Sequence, residues 1–540
     1  MALFFMAVGA QLVRLALMGV SGSSISLNET VAQSFARPDI VDRNGRLLAT
    51  DVEAYSLFAD PGRVIDRDEA VEKLAVVFTD LDTNALRKEL SDRNRRFVWV
   101  RRGLSPRAAQ AVHNLGIPGF DFRRELRRAY PGGKLAGHVL GYVNIDNKGV
   151  AGIERYVDDV VGVESVQDAT LAERPPVRLS IDIGVQHAVE AELADALSRY
   201  KAQGAAGVVL DVTTGEVMAS ASLPAVDPAK PNMDQDRLDK IAGSTFELGS
   251  VFKTLTVAMA IDQALVTPET VIDTRHEITS GRFTIKDLHP LRRPLSVAEI
   301  FLHSSNVGAA KLALLAGPQR FQEFLRHMQL LEVMKTEAGA MPSPQVPQRW
   351  GEIETITASY GHGIAMAPLQ FAAAAAAVVN GGRKVRPTFV KKQADAEIAE
   401  IPLVSTATSD KMRALMRRNV AEQAGTGKRA EVRGYQVGGK TGTAEMPGVG
   451  GYREKAVISS FLAAFPMDNP RYLVFVLLFE PSGTQETGGE VLASRNAAPT
   501  AGRVISRIGP LLGMLPTQAA SKGGTGMAFD ASSPAKYEAR

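Results

Sequence analysis

The sequence has 540 residues, 45% of them hydrophobic and 22% charged, the composition of a globular chain of about two to four domains. Its 62 basic and 59 acidic residues leave a net charge of only +3, so no global field points to nucleic acid. Cysteine is absent and the eight histidines form neither an HExxH nor a helical ligand pair; disulfides, thiolate metal sites and cysteine nucleophiles are excluded, and no metal or other cofactor is expected.

Residues 1–20, MALFFMAVGAQLVRLALMGV, are the most lipid-like stretch at either end. Only Met1 to Ala10 lack strongly polar side chains, short of the roughly 20 residues that a span needs. We read the stretch as the outer part of an uncleaved membrane anchor that starts before this chain; an amphipathic helix lying on the protein is the alternative. Residues 21–36 read as a polar juxtamembrane linker. Arg37 to Thr50, RPDIVDRNGRLLAT, predicts a hairpin turned at Asn44-Gly45. From Arg87 to Arg128 there are twelve Lys/Arg against four Asp/Glu, with Phe97, Val98, Trp99 and Val100 interleaved. That pattern predicts a folded basic face, solvated or turned to a partner, with a nucleic-acid patch as the alternative.

Pro175-Pro176 marks the best domain boundary, separating a module over 37–176 from an α+β domain over 177–516. Within the second, residues 186–200 have helical periodicity, and residues 205–222 predict a hairpin turned at Thr214-Gly215. Phe246 to Leu265 predict one long apolar helix. Gln370 to Val379, rich in alanine, predict a tightly packed helix, and Arg471 to Phe479 a buried strand. Residues 517–540, rich in Gly, Ser and Ala, predict a disordered tail.

Three short motifs carry chemistry. In FELGSVFKTLTVAMAID, Lys253 lies three residues after Ser250, on the same helical face. A serine hydroxyl is a poor nucleophile until a base takes its proton, and a lysine serves when burial or a second cation lowers its pKa. In HSSNVG, Ser304 offers a hydroxyl for proton relay and Asn306 an amide that can grip a peptide. In GGKTGTAE, Thr441 and Thr443 share one face of a strand, Gly442 lets a backbone approach, and Lys440 offers charge to a carboxylate. Each motif alone is weak: SxxK recurs at Ser533 to Lys536, and SxN at Ser26 to Asn28 and Ser494 to Asn496. Gly434 to Thr441, GYQVGGKT, also satisfies the P-loop pattern. A P-loop must open a helix, and the following AEMPGVGG cannot start one. Taken in order, with 54 residues from Ser250 to Ser304 and 134 from Asn306 to Lys440, the three motifs form the signature of penicillin-binding proteins and class A β-lactamases.

With those residues in hand, the chain resembles a class B penicillin-binding protein, a monofunctional peptidoglycan D,D-transpeptidase. RPDIVDRNG resembles the N-terminal RGxIxDRxG box, with Pro38 in place of the usual Gly. Tyr130 to Glu154 and Ser359 to Ala372 resemble two further family segments, and the last of these, with HSSNVGAAKLAL, is closer to the division type than to the elongation type. The resemblance implies an antiparallel sheet flanked by helices plus an all-helical subdomain over 177–516, behind an elongated pedestal, or dimerisation-like, module over 37–176. It also implies roles. Ser250 is the nucleophile toward D-Ala-D-Ala, Lys253 its base, Ser304 the proton relay, and Asn306 a grip on the substrate backbone. Lys440, Thr441, Gly442 and Thr443 form the strand that holds the terminal carboxylate, and the Ser250 and Thr443 N–H groups form the oxyanion hole.

Implied ligands are peptidoglycan stem peptides and β-lactams. Implied partners are a glycosyltransferase of the shape, elongation, division and sporulation family and other divisome proteins. The catalytic domain would face the periplasm from a single-pass anchor. The rivals are an elongation-type transpeptidase, a D,D-carboxypeptidase, a β-lactamase or β-lactam sensor, and a silent divisome scaffold. A class A β-lactamase needs a deacylating Glu with Asn four residues later, and Glu332, Glu337, Glu352 and Glu354 all lack it.

Overall fold

The computed structural model describes residues 35–161, 164–165, 175–230, 238–280, 283–392, 402–448 and 451–516. The predicted anchor, the linker up to residue 34, the tail and the SxxK and SxN copies within them lie outside the described residues. Among the described residues, no helix is long and apolar enough to cross a membrane.

The predicted N-terminal hairpin forms between β1 (Ile40–Val41) and β2 (Leu47–Ala59), with Ile40 opposite Ala49. Gly45 has φ +87°, and Asp42 Oδ1 accepts the Asn44 and Arg46 N–H groups, both at 2.8 Å. Only a residue without Cβ takes that φ freely, which is why the turn falls at Asn-Gly. β2 continues into antiparallel pairing with β3 (Val98–Leu104) and β4 (Phe120–Ala129). Three helices, α1 (Arg67–Val77), α2 (Thr83–Ser91) and α3 (Pro106–His113), start on the side-chain caps Asp66, Asp82 and Ser105. Their apolar stripes bury Leu57, Val71, Leu74, Leu86, Leu90 and Val112 together. Part of the basic stretch is paired within the protein. Arg101 binds Asp80, Arg102 binds Glu125 and Asp146, and Arg128 binds Asp51 and Glu154.

Past Pro176, β5 (Val177–Arg178) runs parallel to β1. Then α4 (Ile183–Arg199), capped by Asp182, precedes the predicted hairpin of β6 (Gly204–Asp211) and β7 (Val217–Leu223). That hairpin joins an antiparallel five-stranded sheet of spatial order β10, β11, β12, β6, β7. Here β10 is Gly438–Gly448, β11 Gly451–Phe465 and β12 Tyr472–Phe479. β12 is buried throughout, as its unbroken apolar run predicts, because helices cover both faces. α4 and α10 (Ala497–Leu511) cover one face; α8 (Pro368–Val379) covers the other. Every residue of α8 is buried, and its alanines let neighbouring backbones come close.

The helical part of the domain packs beyond α8. It includes α5 (Lys253–Asp262), α6 (Val297–His303), α7 (Asn306–His327, kinked at Gly317) and α9 (Thr406–Ala421). A small hairpin, β8 (Ile278–Ser280) and β9 (Phe283–Ile285), precedes α6. One expectation is corrected. The helix predicted over Phe246 to Leu265 is α-helical only from Lys253 to Asp262, preceded by a 3-10 turn at Gly249–Phe252. Phe246 is extended and exchanges backbone hydrogen bonds with Met366. The P-loop match is also resolved: its lysine lies inside strand β10, with Lys440 opposite Leu462.

Candidate active site

The serine turn owes its shape to two glycines. Gly249 has φ +58° and donates its N–H to the Gly361 carbonyl at 3.3 Å. A Cβ at Gly361 would collide with the Gly249 backbone, so the loop behind can press directly on the turn. In a 3-10 helix residues i and i+3 eclipse. Lys253 is thereby stacked on Ser250 more directly than an α-helical turn would achieve, and its Nζ lies 3.0 Å from Ser250 Oγ.

The Ser304-Ser305-Asn306 triplet is the joint between two helices. Ser304 ends α6 in the left-handed region, with φ +58°. Ser305 caps α7 by accepting the Gly308 N–H at 2.9 Å, and Asn306 is the first helical residue. A single left-handed residue turns the chain sharply enough to aim the carbonyl and hydroxyl of Ser304 and the carboxamide of Asn306 at one point. That point is Lys253 Nζ, 2.6 Å from Ser304 O, 3.2 Å from Ser304 Oγ and 2.7 Å from Asn306 Oδ1. From the sheet edge, Lys440 Nζ reaches Ser304 Oγ at 2.9 Å and the Thr441 carbonyl at 3.2 Å.

Both lysines have zero exposure. Burial pushes Lys253 down to about 7, while the carboxylate of Asp287 acts in the opposite direction. Burial, and then the nearby Lys253, hold Lys440 well below the ordinary lysine range. Two ammonium groups sharing one buried hydroxyl cannot both keep their protons cheaply. A neutral amine has two N–H donors and one lone pair. The two shortest contacts of Lys253 are carbonyl oxygens, which take the donors, and this leaves the lone pair for the Ser250 hydroxyl. The arrangement can therefore deprotonate Ser250 and pass the proton through Ser304.

The structure brings Ser250, Lys253, Ser304, Asn306 and Lys440 into one continuous set of contacts. The other three predicted residues lie beside them on β10, with different neighbours from those the sequence suggests. Thr441 donates its hydroxyl to Thr426 at 2.8 Å, and Thr443 Oγ1 accepts the Ala493 N–H at 3.3 Å. A Cβ on Gly442 would sit 2.5 Å from Ser460 Oγ and 2.7 Å from the Leu248 carbonyl. Gly442 is therefore required by the close approach of strand and serine turn, where the sequence reading had the substrate. Lys440, expected to offer charge to a carboxylate, points its amine at the Ser304 hydroxyl. The third SxN copy is also explained, since Asn496 caps α10.

Sequence reasoning missed Thr426 and Asn419. Buried Asn419 donates to the Gly439 carbonyl at 2.8 Å and accepts the Thr426 N–H at 3.0 Å, fixing the loop against β10. The sequence signal for Thr426 is the Gly-rich stretch AGTGKRA, which by itself names no partner, and Asn419 lies outside it.

The fold and the site define a class, and comparison with known proteins agrees. Residues 205–500 match the model of the penicillin binding protein transpeptidase domain, and residues 33–171 that of the penicillin-binding protein dimerisation domain. This chain belongs to the penicillin-binding protein transpeptidases. It is 39% identical over 489 residues to the probable peptidoglycan D,D-transpeptidase FtsI of Caulobacter vibrioides, covering 89% of this chain and 82% of that protein. To the peptidoglycan D,D-transpeptidase FtsI of Escherichia coli K12 it is 29% identical over 492 residues, covering 85% and 82%. The crystal structure of penicillin binding protein 3 from Mycobacterium tuberculosis, complexed with aztreonam, superposes with a TM-score of 0.67 at 26% identity. The match covers 90% of this chain and 98% of that one.

Proposed function

We propose that this protein is a septal peptidoglycan D,D-transpeptidase that cross-links stem peptides through an acyl-enzyme on Ser250. The observation that carries the reading is the line of contacts from Ser250 Oγ to Lys253 Nζ, Ser304 Oγ and Lys440 Nζ, at 3.0, 3.2 and 2.9 Å. Ser250 attacks the carbonyl between the two terminal D-alanines while Lys253 takes its proton. The tetrahedral oxyanion sits between the Ser250 and Thr443 backbone N–H groups, each such donor contributing roughly 3–4 kcal/mol in comparable sites. A proton passes through Ser304 to the leaving amine, and D-alanine departs. The amine of a second stem peptide then attacks the ester carbonyl, Ser250 recovers its proton, and the new amide is the cross-link. Asn306 grips the donor backbone. Lys440, Thr441 and Thr443 hold its free carboxylate, and Gly442 keeps β10 tight against the serine turn.

β-Lactams acylate the same serine, a reading supported by the aztreonam complex of the related penicillin binding protein 3. Deacylation is slow. The carboxylate of Glu337 accepts the Thr388 hydroxyl and the Phe389 N–H, and that of Glu354 caps the Gly351 N–H. Those two acids serve the fold, and Glu332, Glu337, Glu352 and Glu354 all lack the Asn four residues later that a class A β-lactamase needs. Residues 37–176 act as the pedestal and 177–516 as the transpeptidase domain. Residues 1–20 anchor the protein in the inner membrane with the catalytic domain in the periplasm, where its substrates are. A glycosyltransferase of the shape, elongation, division and sporulation family and other divisome proteins are its partners.

Labelling with a fluorescent penicillin tests this reading. The wild type is expected to carry one acylated residue, absent in Ser250→Ala; labelling that survives the substitution overturns it. With a donor peptide and an amine acceptor, release of D-alanine without a cross-linked product would make the protein a carboxypeptidase instead.

A further inference from the structure

The reaction steps above leave one carboxylate at the site unused. Asp287 follows β9 and reaches under the Ser304-Ser305-Asn306 joint. Its Oδ2 accepts the Ser305 hydroxyl at 2.7 Å and its Oδ1 accepts the Val307 N–H at 2.9 Å. The preceding residue, Lys286, gives its carbonyl to Asn306 Nδ2 at 3.1 Å. The Asn306 carboxamide is thus held at both ends, by Lys286 on the nitrogen and Lys253 on the oxygen. Ser305 is only 2% exposed, so its hydroxyl has little access to water as a substitute partner.

The joint needs such a clamp. A serine in the left-handed region is unfavourable for an L-residue and persists only when its surroundings fix it. The first N–H groups of α7 have no partner within the helix. Ser305 satisfies Gly308, and Asp287 satisfies Val307. A neutral carboxamide offers one acceptor oxygen where the carboxylate offers two, and the carboxylate also places negative charge near Lys253. We propose that Asp287 is a positioning residue for acylation: it locks the joint so that Ser304 and Asn306 face Lys253, and it keeps a carboxylate near that lysine. The proposal rests on the transpeptidase reading given above.

Lys253 is approached by Asp287 from the β9 side and by Lys440 from β10. α5 carries no other charge before Asp262, and the joint between α6 and α7 presents the neutral Ser304 and Asn306. The negative charge of Asp287 favours the protonated amine, so its removal extends the free amine to lower pH.

The test is the second-order rate of acylation by a fluorescent penicillin across pH, for the wild type, Asp287→Asn, Asp287→Ala and Ser305→Ala. Asp287→Ala should lose about tenfold or more of the plateau rate, because two hydrogen bonds to a charged group vanish. Asp287→Asn should lose less. In both, the acid limb should move to lower pH, whereas Ser305→Ala, which keeps the charge, should leave that limb in place. An acid limb in Asp287→Asn that coincides with the wild type would overturn the proposal, as would an Asp287→Ala plateau within about twofold of it. The isosteric Asn variant decides the matter even if the Ala variant unfolds. Failure of the transpeptidase reading would appear in the wild type itself, and failure of this inference only in the variants.

Discussion

Two clusters of buried charge, one in each half of the molecule, are built on opposite rules. In the N-terminal module, Arg37 and Arg128 meet Glu154, Asp51 and Asp158. Arg37 and Arg128 lie 2.8 and 2.7 Å from Glu154, Arg128 lies 3.1 Å from Asp51, and Arg37 also pairs with Asp158. The side chains of Arg37, Arg128 and Glu154 are fully buried. Charges there are paired with opposite sign and forked hydrogen bonds satisfy them, so nothing is left to react. In the catalytic domain, Lys253 and Lys440 share sign and neighbour, with Asp287 the carboxylate that acts on Lys253. Matched burial makes a fixed strut, while unmatched burial makes a base. The lesson is that the balance of sign within a buried cluster, more than burial itself, separates structural charge from catalytic charge.

Substitutions break this comparison in graded ways. The largest effect is expected for Lys253→Arg. It preserves positive charge but raises the pKa beyond use, so acylation should slow by about 10²–10⁴-fold with little change in melting. Next comes Glu154→Gln in the other cluster, which removes the carboxylate shared by both arginines and leaves Arg37 with Asp158 and Arg128 with Asp51. Calorimetry should show a loss of about 3–5 kcal/mol, while the folded protein acylates at the wild-type rate. Gly442→Ala is intermediate. Its Cβ would meet Ser460 and the Leu248 carbonyl, so overpacking of about 1–3 kcal/mol should appear in both melting and acylation, because the strained neighbour is the serine turn. The smallest effect is expected for Thr426→Val, which removes a neutral hydroxyl next to Thr441. About 0.5–1.5 kcal/mol is expected there, read as a few-fold slower acylation.

Much of this site is legible in the sequence because its parts are local. Ser250 and Lys253 fall within one turn, Ser304 and Asn306 within one joint, and Lys440 to Thr443 on one strand, so side-chain spacing alone orders each set. Burial of the Ala-rich α8 and of β12 is likewise written in unbroken apolar runs. What stays hidden depends on which distant segments meet. Asp287 lies 18 residues from Ser305 and Thr426 lies 15 from Thr441, and neither forms a motif with its partner. The reading of Gly442 as room for substrate misplaces the crowding, because the neighbouring Leu248 is close only in three dimensions. The overextended helix at Phe246 has the same cause. Its apolar pattern suits a helix, but the left-handed Gly249 and the backbone pairing with Met366 make the entry extended.

The central claim is that Lys253 works as a free amine near neutrality. Acylation of the wild type should be followed from about pH 5 to about pH 9, well below the ordinary lysine range near 10.4. The account predicts a rate that climbs as pH passes through about 7 and then levels off. A rate with no inflection until pH approaches the ordinary lysine value would mean that Lys253 keeps its proton, and would contradict the account.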